Sequence, residues 1–181
     1  MTTPYGFGKF VRVRFPYRED PTQPGPDTKV GLVVGVDKSD PKNPIVKVAY
    51  TTTSGPAINR EKDKPGNIFV DDKTARGMNQ VEFMINTRRI AYVPSDKRFF
   101  PELGQPGSGI IANAPRQLRE RINAEMDKAK ALGIKLDETG PKVASANAND
   151  ANAAQGKPKP VKVAREKHVV GRDGRPVLSL R

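Results

Sequence analysis

Four consecutive hydroxyl side chains, Thr51, Thr52, Thr53 and Ser54, follow the apolar run IVKVAY (45–50) and precede Gly55. Hydroxyls presented at a strand end can hydrogen-bond a phosphodiester, and donors aimed at developing charge favour phosphoryl chemistry. The same residues also suit an ordinary strand-to-turn transition. Arg12 and Arg14 alternate with Val11, Val13 and Phe15. They form either the plain outer face of a strand or a surface that tracks a nucleic-acid backbone. Arg60, Arg76, Arg88 and Arg89 are further cations for such a partner. Residues 1–167 contain no His, and a lone His168 reads as a solvated side chain. There is no Cys, and no cluster of His, Asp and Glu has metal-ligand spacing, so no cofactor is expected. GQPGSG (104–109) lacks the Lys-Ser/Thr ending of a phosphate loop and reads as a linker.

The elements that would carry these side chains are mostly strands. VRVRFPY (11–17) alternates and ends at Pro16, KVGLVVGV (29–36) is nearly continuous apolar, and 45–50 follows the turn DKSDPKNP. This order predicts an antiparallel meander with long polar loops at 18–28 and 53–66. Shorter strands are expected at 67–71, 79–85 and 89–93, and Asp71-Asp72 reads as a turn. Five or six short strands within a hundred residues suggest a small barrel or a strongly bent sheet. A helix is expected over 114–132, with Asn113 as N-cap. Leu118, Ile122, Met126, Ala129 and Leu132 lie on its apolar face, and Gly133 follows its end.

Charge and composition divide the chain unevenly. All aromatics lie between Tyr5 and Phe100, and only 35% of the 181 residues are hydrophobic. The net charge is +12, and residues 151–181 contribute +6 of it. Such a balance favours a polyanionic partner: RNA, DNA or an acidic protein surface. From about 137 the sequence reads as a low-complexity basic tail, disordered alone, with the charge run Lys157–Lys167 suited to polyanion docking. This divides the chain into a core at 1–136 and a tail at 137–181. No apolar run approaches a membrane span, and MTTPYGFGKF lacks a signal-peptide pattern. A reducing cytoplasm fits the lack of Cys.

The ordered set VRVRFPY, TKVGLVVGV, AYTTTSG and GMNQVEFMINTRRIAYV, followed by the helix, resembles the PemK/MazF family of toxin endoribonucleases over about residues 8–132. The resemblance implies a mostly β fold, a small SH3-like barrel sharing its core with CcdB, with a C-terminal helix. It also implies a homodimer, an antitoxin or acidic protein partner, and metal-independent cleavage of single-stranded RNA. In that reaction the RNA 2′-hydroxyl attacks its own phosphate, and a cation with a nearby hydroxyl stabilises the transition state.

By the same resemblance, the family's T-R-P arginine falls on Lys29, its proline on Val30 and its turn threonine on Thr51, with Thr52 and Ser54 adjacent. The aspartate of its D-Q pair falls on Asn79, while Gln80 keeps its place. Lysine lacks the planar fork of arginine, and asparagine is no general base. Two readings follow. One is a divergent RNA-cutting toxin with Lys29, Thr51, Thr52 and Ser54 at the phosphate and the two long loops as its groove. The other is a barrel that has lost the chemistry and acts as a binding or structural module.

Overall fold

The computed structural model describes residues 3–140. Its frame is a seven-stranded, mostly antiparallel sheet. The strands are β1 (Lys9–Pro16), β2 (Pro24–Asp37), β3 (Ile45–Thr52), β4 (Asn67–Val70), β5 (Phe83–Pro94), β6 (Ile110–Asn113) and β7 (Asp137–Thr139). The helices are α1 (Gly55–Glu61), α2 (Asp72–Arg76) and α3 (Arg116–Ala131). The strand order is β4-β5-β3-β2-β1-β6, with β7 pairing in parallel with β5. The path is open, with β4 and β6 at its two ends, so the expected closed barrel is not formed by strand pairing among the described residues.

Both faces of the sheet are buried, and strand alternation decides which residue goes where. Phe10, Leu32, Ala49, Ile68 and Ile85 fill one face together with Leu118 and Ile122 of α3. Val11, Val13, Phe15, Val33, Val46, Val48 and Val93 fill the other, beneath Phe99 and Phe100. Fully burying one such aliphatic side chain is worth about 1.5–3 kcal/mol. Register shifts at Arg14/Pro16, Val33/Gly35 and Ala49/Tyr50 interrupt the ladders and bend the sheet.

The meander matches the sequence expectation, and several boundaries differ for local reasons. The expected loop at 18–28 is a loop only to Gln23, because residues 24–28 extend β2 against Arg14 and Pro16. The expected loop at 53–66 contains α1, whose one buried residue is Ile58. One buried position over two turns leaves no visible periodicity. Strands expected at 79–85 and 89–93 are a single strand, β5. Residues 79–82 stay outside it, and Val81 is exposed. Asp71-Asp72 opens α2: the Asp71 carboxylate accepts from Thr74 N, and Asp72 pairs with Arg76.

Around α3, Pro115 takes the N-cap position expected of Asn113, which ends β6. Leu118, Ile122 and Ala129 are buried as expected, whereas Leu132 lies past the helix end and is 59% exposed. Gly133 has φ +63°, as its expected place after the helix requires. β7, which begins just after the expected boundary at 136, joins the sheet. No helix among the described residues is long and apolar enough to cross a membrane. The rest of the expected disordered tail, with Lys157–Lys167 and His168, lies outside the described residues.

Candidate nucleic-acid interface

Alternation along β3 sends Tyr50 to the face of Phe15 and Val48, and Thr51 to the opposite face of Ala49 and Ile85. The Thr51 hydroxyl donates to the carbonyl of Val30 at 2.8 Å, which ties the end of β3 to β2. Thr52 Oγ1 accepts from Ser54 N at 3.1 Å and shapes the turn. Ser54 stands at the N-cap of α1 with its hydroxyl exposed and making no cap bond, while its carbonyl accepts from Ile58 N. Of the hydroxyls singled out in the sequence, Thr51 is therefore committed to the sheet, and Thr52 faces the Tyr50 side.

Lys29 is exposed, lies opposite Val13 in the register, and is two residues from Gly31, the partner of Tyr50. Alternation thus places Lys29 on the Tyr50 face, away from Thr51. It has no carboxylate within ion-pair reach among the described residues. The arginines are scattered by comparison. Arg12 faces Glu102 at 3.7 Å, and Arg76 pairs with Asp72. Arg60 and Arg88 meet at Glu61, 3.5 and 3.7 Å from its carboxylate oxygens. Lys64, followed by Arg60 and Arg88, holds the Glu61 carboxyl below the usual carboxylate range. Arg14 is half-buried, and its Nε has no hydrogen-bond partner among the described residues. Asn79, at the position of the family aspartate, has φ +55° in the turn after α2, a conformation asparagine tolerates.

Only Arg89 among the sequence candidates joins a compact polar group with an aromatic. The Tyr50 ring lies against Phe15, with ring centroids 3.8 Å apart, and the Arg89 guanidinium carbon sits 4.3 Å from the Tyr50 centroid. Phe15 and Arg89 thus both lie against the half-buried Tyr50 ring, and the Thr139 side chain approaches its hydroxyl. Arg18 donates to both oxygens of Asp137, at 2.9 and 2.8 Å, and Arg89 Nε lies 3.6 Å from the same carboxylate. Burial pushes the Tyr50 phenol above its ordinary pKa, opposed by Arg89, so the phenol stays protonated at neutral pH.

Arg18, Tyr50 and Asp137 were not singled out from the sequence. Arg18 stands in a polar loop with no periodicity, and Asp137 fell in the expected tail. Tyr50 carried a signal: an aromatic directly before a hydroxyl run at a strand end. Two clefts, of about 770 and 410 Å³, lie elsewhere. The larger is lined by Pro4, Pro44 and Leu103 among others, the smaller by Ile90, Met126 and Ile134 among others. Neither includes Lys29 or Thr51–Ser54.

No protein-family model matches the chain, and no curated protein matches it.

Proposed function

We propose that the chain is a divergent PemK/MazF-like protein whose open, bent sheet is a variant of the family's SH3-like barrel, and that it binds single-stranded RNA on the Tyr50 face and cuts it without a metal. The observation that carries this reading is the placement of Lys29, a cation with no carboxylate partner among the described residues, on the same sheet face as Tyr50 and Thr52, with Arg18 and Arg89 gathered near Tyr50. The β1-β2-β3 meander, the bends at its register shifts and the helix packed on one face support the family kinship.

The chemistry that fits is electrostatic. The RNA 2′-oxygen bonds to phosphorus and the 5′-oxygen leaves, giving a 2′,3′-cyclic phosphate and a 5′-hydroxyl. Lys29 and the two guanidiniums offset charge on the phosphorane. The Tyr50 phenol, kept protonated, supplies a proton to the leaving oxygen, and the 2′-hydroxyl proton passes to water. Thr52 orients the phosphate by hydrogen bonding. Incubating the purified protein with a long mixed-sequence RNA in EDTA, and mapping the new ends, tests this reading. Discrete cuts ending in cyclic phosphate support it, and a strict Mg²⁺ requirement counts against it.

A second reading is favoured by the commitment of Thr51 to Val30 and by Asn79 in place of a carboxylate. Under it, the same face binds a nucleic acid or an acidic protein without cutting. RNA that shifts in mobility while staying intact selects this reading.

A further inference from the structure

We infer that the Asp137 carboxylate is an internal stand-in for an RNA phosphate, held in a two-arginine site that a phosphodiester takes over when the strand binds. The inference rests on the RNA-binding reading above and specifies where on that face a phosphate sits. Arg18 presents one nitrogen to both carboxylate oxygens, at 2.9 and 2.8 Å, while Arg89 approaches one of them from the Tyr50 side at 3.6 Å. Two guanidiniums converging on one small anion supply charged N–H donors that suit a phosphate as well as a carboxylate. Asp137 is the carboxylate in contact with both cations, and Glu19 acts on Arg18 from farther away.

The carboxylate is placed to leave. The Arg18 and Asp137 side chains are 64% and 42% exposed, and ion pairs in that setting hold weakly against solvent and salt. Asp137 is the first residue of the three-residue strand β7, whose anchors lie beyond it. Glu138 accepts from the Tyr92 hydroxyl at 2.7 Å, and Thr139 is buried. The Asp137 side chain can therefore turn away while β7 keeps its pairing with β5. Arg89 remains fixed over Tyr50, so the site stays formed when it is vacated. A phosphate there would lie beside the Tyr50 phenol, on the Lys29 face.

The test uses the full chain and a labelled, mixed-sequence single-stranded RNA with 2′-O-methyl groups, which cannot be cut, with binding read by fluorescence anisotropy across a salt series. Asp137→Asn removes the competing charge and is expected to tighten binding roughly three- to tenfold. Arg18→Ala alters an exposed side chain and is expected to weaken binding, reducing the salt-dependence slope by about 0.7, the value of one lost phosphate contact. Circular dichroism confirms that each variant is folded, and the Arg18 variant decides the matter if Asp137→Asn is not. A parent that binds RNA while the folded variants match it in affinity and slope overturns this inference and leaves the RNA reading intact. If the parent binds no RNA, inorganic pyrophosphate replaces it as probe in thermal melts. A larger stabilisation of Asp137→Asn than of the parent then preserves the anion site and overturns the RNA reading, whereas equal melts overturn both.

Discussion

Lys29 and Thr51 stand on adjacent strands, yet alternation turns them to opposite faces of the sheet: Lys29 is opposite Val13, and Thr51 is opposite Ile85. A linear motif cannot show this, because a shift of one residue reverses the face of every side chain on a strand. The two residues should therefore behave differently when removed. Lys29→Ala is expected to weaken RNA binding, with a loss of about 0.7 in the salt slope, and to lower cleavage strongly. Thr51→Val forfeits the bond to Val30 and is expected to cost about 0.5–1.5 kcal/mol of stability, with RNA affinity little changed. Denaturant titration and anisotropy on the same preparations separate the two effects.

Tyr50 provides the next contrast. Its ring is held between Phe15 and Arg89, and its hydroxyl is the group assigned to the leaving oxygen. Tyr50→Phe keeps the stack and removes the proton. The cleavage rate is expected to fall by about 10²–10⁴-fold, the usual contribution of a general acid, while anisotropy with uncleavable RNA changes little. An equal loss of binding and cleavage would assign the phenol to holding RNA instead.

Gly31 makes that stack possible. A Cβ there would meet Phe15 Cζ at 2.9 Å and Val13 Cγ1 at 3.3 Å, and would press closer still on Val48 Cγ1. Gly31→Ala is expected to destabilise the fold by about 1–3 kcal/mol through overpacking. Gly35→Ala, whose nearest neighbour is the flexible Lys47 side chain at 3.5 Å, is the milder control. Chemical denaturation of the two variants beside the parent checks the difference.

Alkaline pH should unfold the protein through its tyrosines. Burial first, then Glu102, pushes Tyr5 up to about 12. Burial first, then the bond to Glu138, pushes Tyr92 up to about 12. A folded pKa above the unfolded value contributes stability that is complete below the unfolded pKa, about 10, and fades as pH rises toward the folded one. Stability is therefore expected to hold below pH of about 10 and to decline between about 10 and about 12, with the two phenolate signals appearing late. Denaturation midpoints measured across that window, with Tyr92→Phe losing part of the decline, provide the check.

The parts of this fold that were legible in the sequence follow one simple period each. β1 reads out through the alternation of Val11, Val13 and Phe15 with Arg12 and Arg14, and α3 through Leu118, Ile122 and Ala129 on one buried face. β5 read as two strands because Asn86, Thr87 and Arg88 interrupt its apolar pattern. In the fold Asn86 accepts from Arg88 N and Thr87 donates to the Gly66 carbonyl at 2.7 Å, while the buried Nε of Arg88 has no hydrogen-bond partner among the described residues. β7 was hidden because Asp137-Glu138-Thr139 is polar throughout and is held by pairing with β5 rather than by apolar burial of its own. The site followed the same rule. The hydroxyl run and Lys29 were visible as residue types, but their faces were not. Arg18 and Asp137 are 119 positions apart and meet only through the tertiary fold.

The most direct test of the central claim is the mapping of RNA ends after incubation in EDTA with the parent, Lys29→Ala and Thr51→Val proteins side by side. The account predicts discrete cuts ending in 2′,3′-cyclic phosphate with the parent and Thr51→Val, and a strong loss with Lys29→Ala. RNA left intact by the parent, or cuts undiminished by Lys29→Ala, would contradict it.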